Sequence, residues 1–170
     1  MSVATLQVDT AALTLTAPDG RVIPCTIGRS GACAGEAKRE GDGCTPLGDW
    51  PIRCVLFRPG RAAPPPGLRL PWRWIRPGDG WSDGTDDPAY NRPVRHPHAY
   101  SAEHLERDDG LYDVIVILGH NDAPPVPGLG SAIFLHCFEE RSTAGCVAID
   151  KGELLRILPM LAQGAVFAIR

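Results

Sequence analysis

The stretch from His136 to Cys146 (His-Cys-Phe-Glu-Glu-Arg-Ser-Thr-Ala-Gly-Cys) holds an imidazole and a thiol close together in the chain. A thiol becomes a strong nucleophile when a neighbouring imidazole takes its proton and stabilises the thiolate. Gly145, just before the cysteine, lets the backbone approach a reacting carbonyl. The N–H groups of Gly145 and Cys146 are then candidates to hold the developing oxyanion. A third group must orient the ring, and the backbone carbonyl of Cys137 can accept its Nδ1 proton. Either residue alone is more often a hydrogen-bonded core histidine or an inert buried thiol. The pair, the glycine and the strand–loop setting together weigh against that bland reading and make Cys146 a candidate nucleophile with His136 as its base.

Buried strands must position these groups. Tyr112–Leu118 (YDVIVIL) is a continuous apolar run of strand length, the pattern of a strand covered on both faces. Ser131–Phe138 (SAIFLHCF) is a second such run and delivers His136. A polar loop, Glu139–Gly145, leads back to Cys146 and then Val147–Ile149. Asp150 followed by Glu153 predicts a capped helix start, with Leu154, Ile157, Leu158 and Leu161 on one face. Pro159 predicts an early end to that helix. Ala165–Ile169 reads as a closing strand.

Upstream, Leu6–Val8 and Leu13–Thr16 read as strands, Asp19-Gly20 as a turn, and Arg21–Ile27 and Trp50–Phe57 as further strands. Gly28–Gly48 is glycine-rich loop. The segment from Arg58 to about Tyr100 shows little periodicity but contains Trp72, Trp74 and Trp81, whose large apolar area argues for a folded, irregular lobe or lid. The expectation is one mostly-β domain over residues 1–170, a sandwich or half-open barrel, with one short helix after the cysteine loop.

Composition narrows the function. The chain has 170 residues, 44% hydrophobic and 22% charged, with a formal net charge of −3. That balance disfavours nucleic-acid binding, and the acidic run Asp79–Asp87 beside the Trp/Arg-rich segment disfavours base stacking there. No apolar run reaches the roughly 18 residues a membrane span requires, and the N-terminus shows no signal-peptide pattern. None of the six cysteines forms a C-x-x-C motif. In an oxidising compartment Cys25, Cys33, Cys44 and Cys54 are able to pair, and in a reducing one they are small apolar residues. His96, His98 and His104 have some metal-site character, but Pro97 intervenes and no carboxylate or thiol is paired with them, so no metal is expected. Gly128-x-Gly130-Ser131 is not a nucleophile elbow. Tyr90, Asn91 and Arg92 are candidates to hold a substrate carboxylate through the Arg fork. His120 and Asn121, after the YDVIVIL strand, are candidates to line a pocket.

Two separated blocks resemble the L,D-transpeptidase (YkuD) catalytic domain. One is His136 followed by Thr143-Ala144-Gly145-Cys146-Val147. The other is Lys38-Arg39-Glu40-Gly41-Asp42-Gly43-Cys44-Thr45-Pro46-Leu47-Gly48-Asp49-Trp50. The chain departs from the usual pattern at Cys137, Ala144 and Ala148. The resemblance implies a peptidoglycan enzyme of the periplasm or cell envelope, with a cytoplasmic location left open by the lack of a visible signal peptide; it works without a cofactor and is expected to act as a monomer. Its partners would be donor and acceptor stem peptides. Cys146 would form a thioester, His136 would move the proton, and Thr143 and Ala144 would flank the substrate. Resolution by an amine makes a 3-3 or 1-3 cross-link, resolution by water makes an L,D-carboxypeptidase or amidase, and a decayed pair would leave a wall-binding module. Carbapenems would be expected to acylate Cys146.

Overall fold

A computed structural model describes residues 3–170. The strands in chain order are β1 (Thr5–Asp9), β2 (Thr14–Thr16), β3 (Val22–Thr26), β4 (Ala32–Cys33), β5 (Thr45–Pro46), β6 (Gly48–Phe57) and β7 (Trp72–Trp74). There follow β8 (Asp79–Ser82), β9 (Pro93–Arg95), β10 (Ala102–His104), β11 (Val114–Leu118), β12 (Phe134–Cys137), β13 (Val147–Ile149) and β14 (Val166–Ile169), with the helix α1 (Lys151–Ile157) between the last two.

The main sheet runs β11-β12-β13-β3-β2-β1-β14-β6-β7 and closes on itself because β6 also pairs with β11. The long strand β6 makes that closure. Its first half pairs with β14, and its second half pairs with β11 across a register irregularity between Ile117 and Leu118. The architecture is therefore mostly β and barrel-like, and closed rather than half-open.

Alternation along the strands divides two apolar clusters. Val114, Val116, Leu118, Leu135, Cys137, Val147 and Ile149 point into the barrel with Leu6, Leu15 and Phe167. Ile115, Ile117 and Phe134 point outward, where they meet Leu56, Ile75, Trp81, Leu105, Tyr112 and Cys146. This explains why the strands read as continuous apolar runs: both faces are covered.

The outer cover comes from the expected lobe, which is more regular than its sequence. It contains a small antiparallel sheet in the order β10-β8-β9. Trp81 lies in that sheet and is buried, with its ring 5.1 Å from that of Phe134. Trp72 and Trp74 are about two-fifths exposed, edge to face with each other at 5.4 Å. Not every tryptophan in the lobe is committed to the core.

Helix α1 begins where expected. The Asp150 side chain accepts from the Glu153 N–H at 3.0 Å. After Ile157 the chain tightens into a 3₁₀ turn, Leu158–Met160, as Pro159 requires. Leu154, Ile157, Leu158 and Leu161 are all fully buried in the inner cluster. Leu135 lies on β12, next to His136, and has no solvent exposure. Leu135→Ala should lower unfolding free energy by about 2–5 kcal/mol, read as a reduced midpoint in urea.

Candidate active site

β12 pairs in parallel with β13, with Leu135 opposite Val147 and His136 opposite Ala148. Successive strand residues face opposite sides. Leu135, Cys137 and Val147 therefore point inward, and His136, Ala148 and Cys146 point outward. His136 and Cys146 line one cavity of about 470 Å³. Each is nearly buried, at 4% and 7% exposure.

The Nδ1 atom of His136 lies 2.9 Å from the Cys137 carbonyl oxygen, the acceptor anticipated from the sequence. A carbonyl can only accept, so Nδ1 carries the proton and the neutral ring presents a lone pair at Nε2. Cys146 does not hydrogen-bond this ring. Its Sγ–H donates to the Ala132 carbonyl at 3.1 Å, and Sγ accepts from the Phe134 N–H at 3.4 Å. Ala132 reaches this position in a left-handed conformation, φ 53°, with its N–H held by Asn91 Oδ1 at 3.1 Å.

Burial decides the charge state of the pair. Desolvation pushes the Cys146 thiol up to about 12; Glu103 adds to the effect, while the Phe134 N–H and Lys38 oppose it. Desolvation also pulls His136 down to about 4, against the support of the Cys137 carbonyl. At rest the two are a neutral thiol and a neutral imidazole, not an ion pair.

The cysteine loop is held from the N-terminal part of the chain. Thr45 Oγ1 accepts from the Gly28 N–H and donates to the Gly145 carbonyl, each at 2.8 Å. Thr143 is bracketed by Arg29 N–H to Thr143 carbonyl at 2.8 Å and Thr143 N–H to Ile27 carbonyl at 3.1 Å. Gly145 has φ 140°, and a side chain there would meet the Cys44 carbonyl oxygen at 2.9 Å. Its N–H donates to Thr143 Oγ1 at 3.1 Å. This amide, expected to be one of two oxyanion donors, is thus already engaged.

The cavity wall is strongly charged. Arg29, Lys38, Arg107 and Arg141 supply cations, and Glu40, Asp83 and Glu103 supply carboxylates. Tyr112 donates to Glu103 at 2.6 Å, and Arg107 sits 5.3 Å above the Tyr112 ring. Burial raises the Glu103 carboxyl. Arg107 also holds Asp109 down at about 2.

Other residues expected to bind substrate are placed differently. Thr143 and Ala144 do line the cavity, but Tyr90, Asn91, Arg92, His120 and Asn121 do not. Tyr90 is buried, donating to Glu40 and accepting from the Gly130 N–H at 3.0 Å. The amide of Asn91 bonds Trp81, Ala132, His120 and Asn121, so nothing is left for a ligand. Arg92 donates to the Asp122 carbonyl at 2.7 Å and faces a separate hollow. His120 is buried against Trp50 at 4.8 Å. Asn121 braces its own loop through Val126 and Gly130. These are framework roles, and a polar residue that ends a strand serves them as readily as it serves a substrate. The Trp/Arg-rich segment contributes nothing to the cavity wall either: no residue from Arg58 to Trp81 lines it.

Conversely, sequence reading did not assign Lys38, Thr45, Glu103, Arg107 or Tyr112 to the site. Lys38 and Thr45 sat in a recognisable block without a role. Glu103 and Arg107 lie in a stretch whose pattern carries no signal.

The histidines considered for a metal are occupied otherwise. His96 stacks on His104 at 3.6 Å, and His98 Nε2 meets Asp87 at 2.6 Å. Among the described residues, Cys33, Asp42 and Cys44 cluster as metal ligands would, but the two sulfurs are joined as a disulfide and offer no thiolate. Cys25 and Cys54 are free thiols.

A barrel whose wall carries a thiol and an imidazole on one polar cavity fits acyl-transfer chemistry. The description of the YkuD L,D-transpeptidase catalytic domain matches residues 4–169, and the chain belongs to that family. Curated proteins give no match. Among solved structures, similar chains include L,D-transpeptidase 1 of Mycobacterium tuberculosis, with 10% identity and TM-score 0.45 over 98% of this chain and 58% of that one. Another is L,D-transpeptidase 3 of the same organism in complex with a faropenem-derived adduct, with 12% identity and TM-score 0.48 over 99% and 60%. The chain spans less than two thirds of either.

Two outcomes follow from this geometry. Thr45→Val leaves the Gly28 N–H and the Gly145 carbonyl without their partner, and should cost about 1–3 kcal/mol; Thr45→Ser should restore most of it. Acid should also destabilise the fold. His136 and His120 are both held at about 4 by burial, so between about pH 6.5 and 4 the unfolded chain binds protons that the folded chain refuses. Stability therefore falls as pH drops through that window, by roughly 3 kcal/mol per histidine below it. Urea midpoints measured across that range should show a slope that shrinks in His120→Gln; an unchanged slope would remove His120 from the account.

Proposed function

We propose that the protein is a cysteine acyltransferase acting on peptidoglycan stem peptides. The observation that carries this reading is the tautomer of His136: Nδ1 is tied to a carbonyl, which leaves Nε2 as a base on the cavity shared with Cys146. Family membership supplies the substrate class.

Because thiol and imidazole are neutral at rest, proton transfer accompanies attack. Cys146 Sγ adds to the carbonyl of an L,D-peptide bond while its proton passes to Nε2. The amide of Cys146 is left to hold the oxyanion, since that of Gly145 is engaged. The carbon–nitrogen bond then breaks, Nε2 protonates the departing D-alanine amine, and a thioester remains. An acceptor amine attacks the thioester, gives its proton to Nε2, and the thiol re-forms. The cations and carboxylates of the wall suit a substrate that carries both signs. The Cys33–Cys44 disulfide favours an oxidising compartment such as the cell envelope. Among the described residues no helix is long and apolar enough to cross a membrane.

Incubation with disaccharide-tetrapeptide, followed by mass spectrometry, tests the proposal. Cross-linked dimers are expected, and fragmentation distinguishes 3-3 from 1-3 linkage. Trimmed monomers alone indicate hydrolysis instead. Unchanged substrate under conditions where the protein is folded sinks the reading. Cys146→Ala should abolish turnover and any carbapenem mass adduct, and His136→Gln should slow turnover by roughly 10²–10⁴-fold.

A further inference from the structure

We propose that Lys38 is a positioning residue that places a fixed positive charge behind Cys146 and lowers the cost of forming its thiolate. The inference rests on the reading of Cys146 as nucleophile. Lys38 is one of only two lysines in the chain and is 2% exposed, although lysine is almost never fully buried. Its stem runs past two glycines in left-handed conformations. A side chain at Gly130 would meet Lys38 Cγ at 3.0 Å, and one at Gly145 would meet Lys38 Nζ at 3.4 Å. The ammonium therefore abuts the residue next to the nucleophile, on the wall of the same cavity.

Its carboxylate partner, Asp42, is fixed independently of it. Asp42 bonds Lys38 Nζ and also accepts from the Arg39 N–H at 2.7 Å and the Cys44 N–H at 3.0 Å. Cys44 is further tied to Cys33. An ammonium has three donors, so one carboxylate does not exhaust it.

The other charged and titratable groups of the cavity do not substitute for it. His136 on β12 is neutral at rest. Glu103 on β10, with Asp83 just beyond β8, faces Cys146 with the wrong sign, and Tyr112 is spent on Glu103. Glu40 is taken by Tyr90 and Ser131. Arg107 and Arg141 are paired with Asp109, and Arg29 donates to the Gly41 carbonyl. Lys38 favours the Cys146 thiolate, against the larger opposing effect of burial.

The test is the second-order rate of Cys146 alkylation by iodoacetamide over roughly pH 6 to 10, with the adduct located by mass spectrometry. Lys38→Met keeps the linear stem and removes the charge. It should raise the apparent thiol pKa by about one unit, and because that pKa already lies near 12 alkylation should slow about tenfold across the whole range. Lys38→Arg should restore the parent profile. An unchanged rate, or a loss that Lys38→Arg does not restore, overturns the proposal. If Lys38→Met does not fold, Asp42→Asn decides the matter: freeing the ammonium from its counter-charge should speed alkylation at least about twofold near pH 8, and no gain refutes the role. No peptidoglycan enters this assay. A failure of cross-linking with a normal Lys38 effect would overturn the substrate reading alone.

Discussion

The parallel pairing of β12 with β13 is the constraint on which the site depends. Parallel neighbours are ordinarily joined by a long crossover, often a helix. Here a short polar loop makes the connection. The register puts His136 beside Ala148, and Cys146, two residues earlier on the same face, lies about 6.6 Å along the strand direction at the usual rise. A slip of one residue would turn Cys146 into the barrel and Val147 out of it. Apolar burial opposes that slip, because Leu135, Cys137, Val147 and Ile149 all belong to the inner cluster. The same offset explains why the imidazole and the sulfur share a cavity without bonding.

What the lobe adds is dryness. An exposed Cys–His pair could ionise in water and would react with whatever reached it. Here Trp81 and Leu105 cover the outer face with Tyr112 and Phe134, and burial dominates the shifts of both groups. The thiol is kept protonated and bonded to the Ala132 carbonyl. On the proposed reading, reactivity would depend on what a bound substrate brings: a carbonyl in place of that acceptor, and an oxyanion that draws the proton onto His136.

Much of this was legible in the sequence, for physical reasons. The strands β11 and β12 are covered on both faces and therefore read as unbroken apolar runs. Asp150, Glu153 and Pro159 announce both ends of α1 through local chemistry alone. His136 and Cys146 stand out because their spacing along the chain is itself the loop that joins them. The failures have a common cause. Tyr90, Asn91, Arg92, His120 and Asn121 have the chemistry of ligand-binding residues, and here that chemistry satisfies buried backbone. Nothing in a one-dimensional pattern distinguishes an amide that holds Ala132 from one that holds a substrate. Glu103 reaches the cavity through pairing in the small lobe sheet and Arg107 from the irregular segment that follows it, placements that leave no periodic trace.

The two blocks that carry the family resemblance meet in space, and that meeting explains why both are present. Thr45 Oγ1 joins the Gly145 carbonyl across a separation of 100 residues, and Lys38 reaches the same glycine from the other side. Asp42 ties Lys38 to the backbone of its own loop, and the disulfide at Cys44 closes that loop on β4. The cysteine loop has little regular structure of its own; it is shaped by bonds to a segment that lies far away in the chain. On the proposed reading, rigidity at Gly145 matters because it fixes the neighbouring Cys146 amide, the donor left to hold the oxyanion. A short loop of polar residues does not provide such rigidity alone. The N-terminal block provides it through one hydroxyl, one disulfide and one buried ion pair, all anchored to the barrel through β6, whose own first residues end the block.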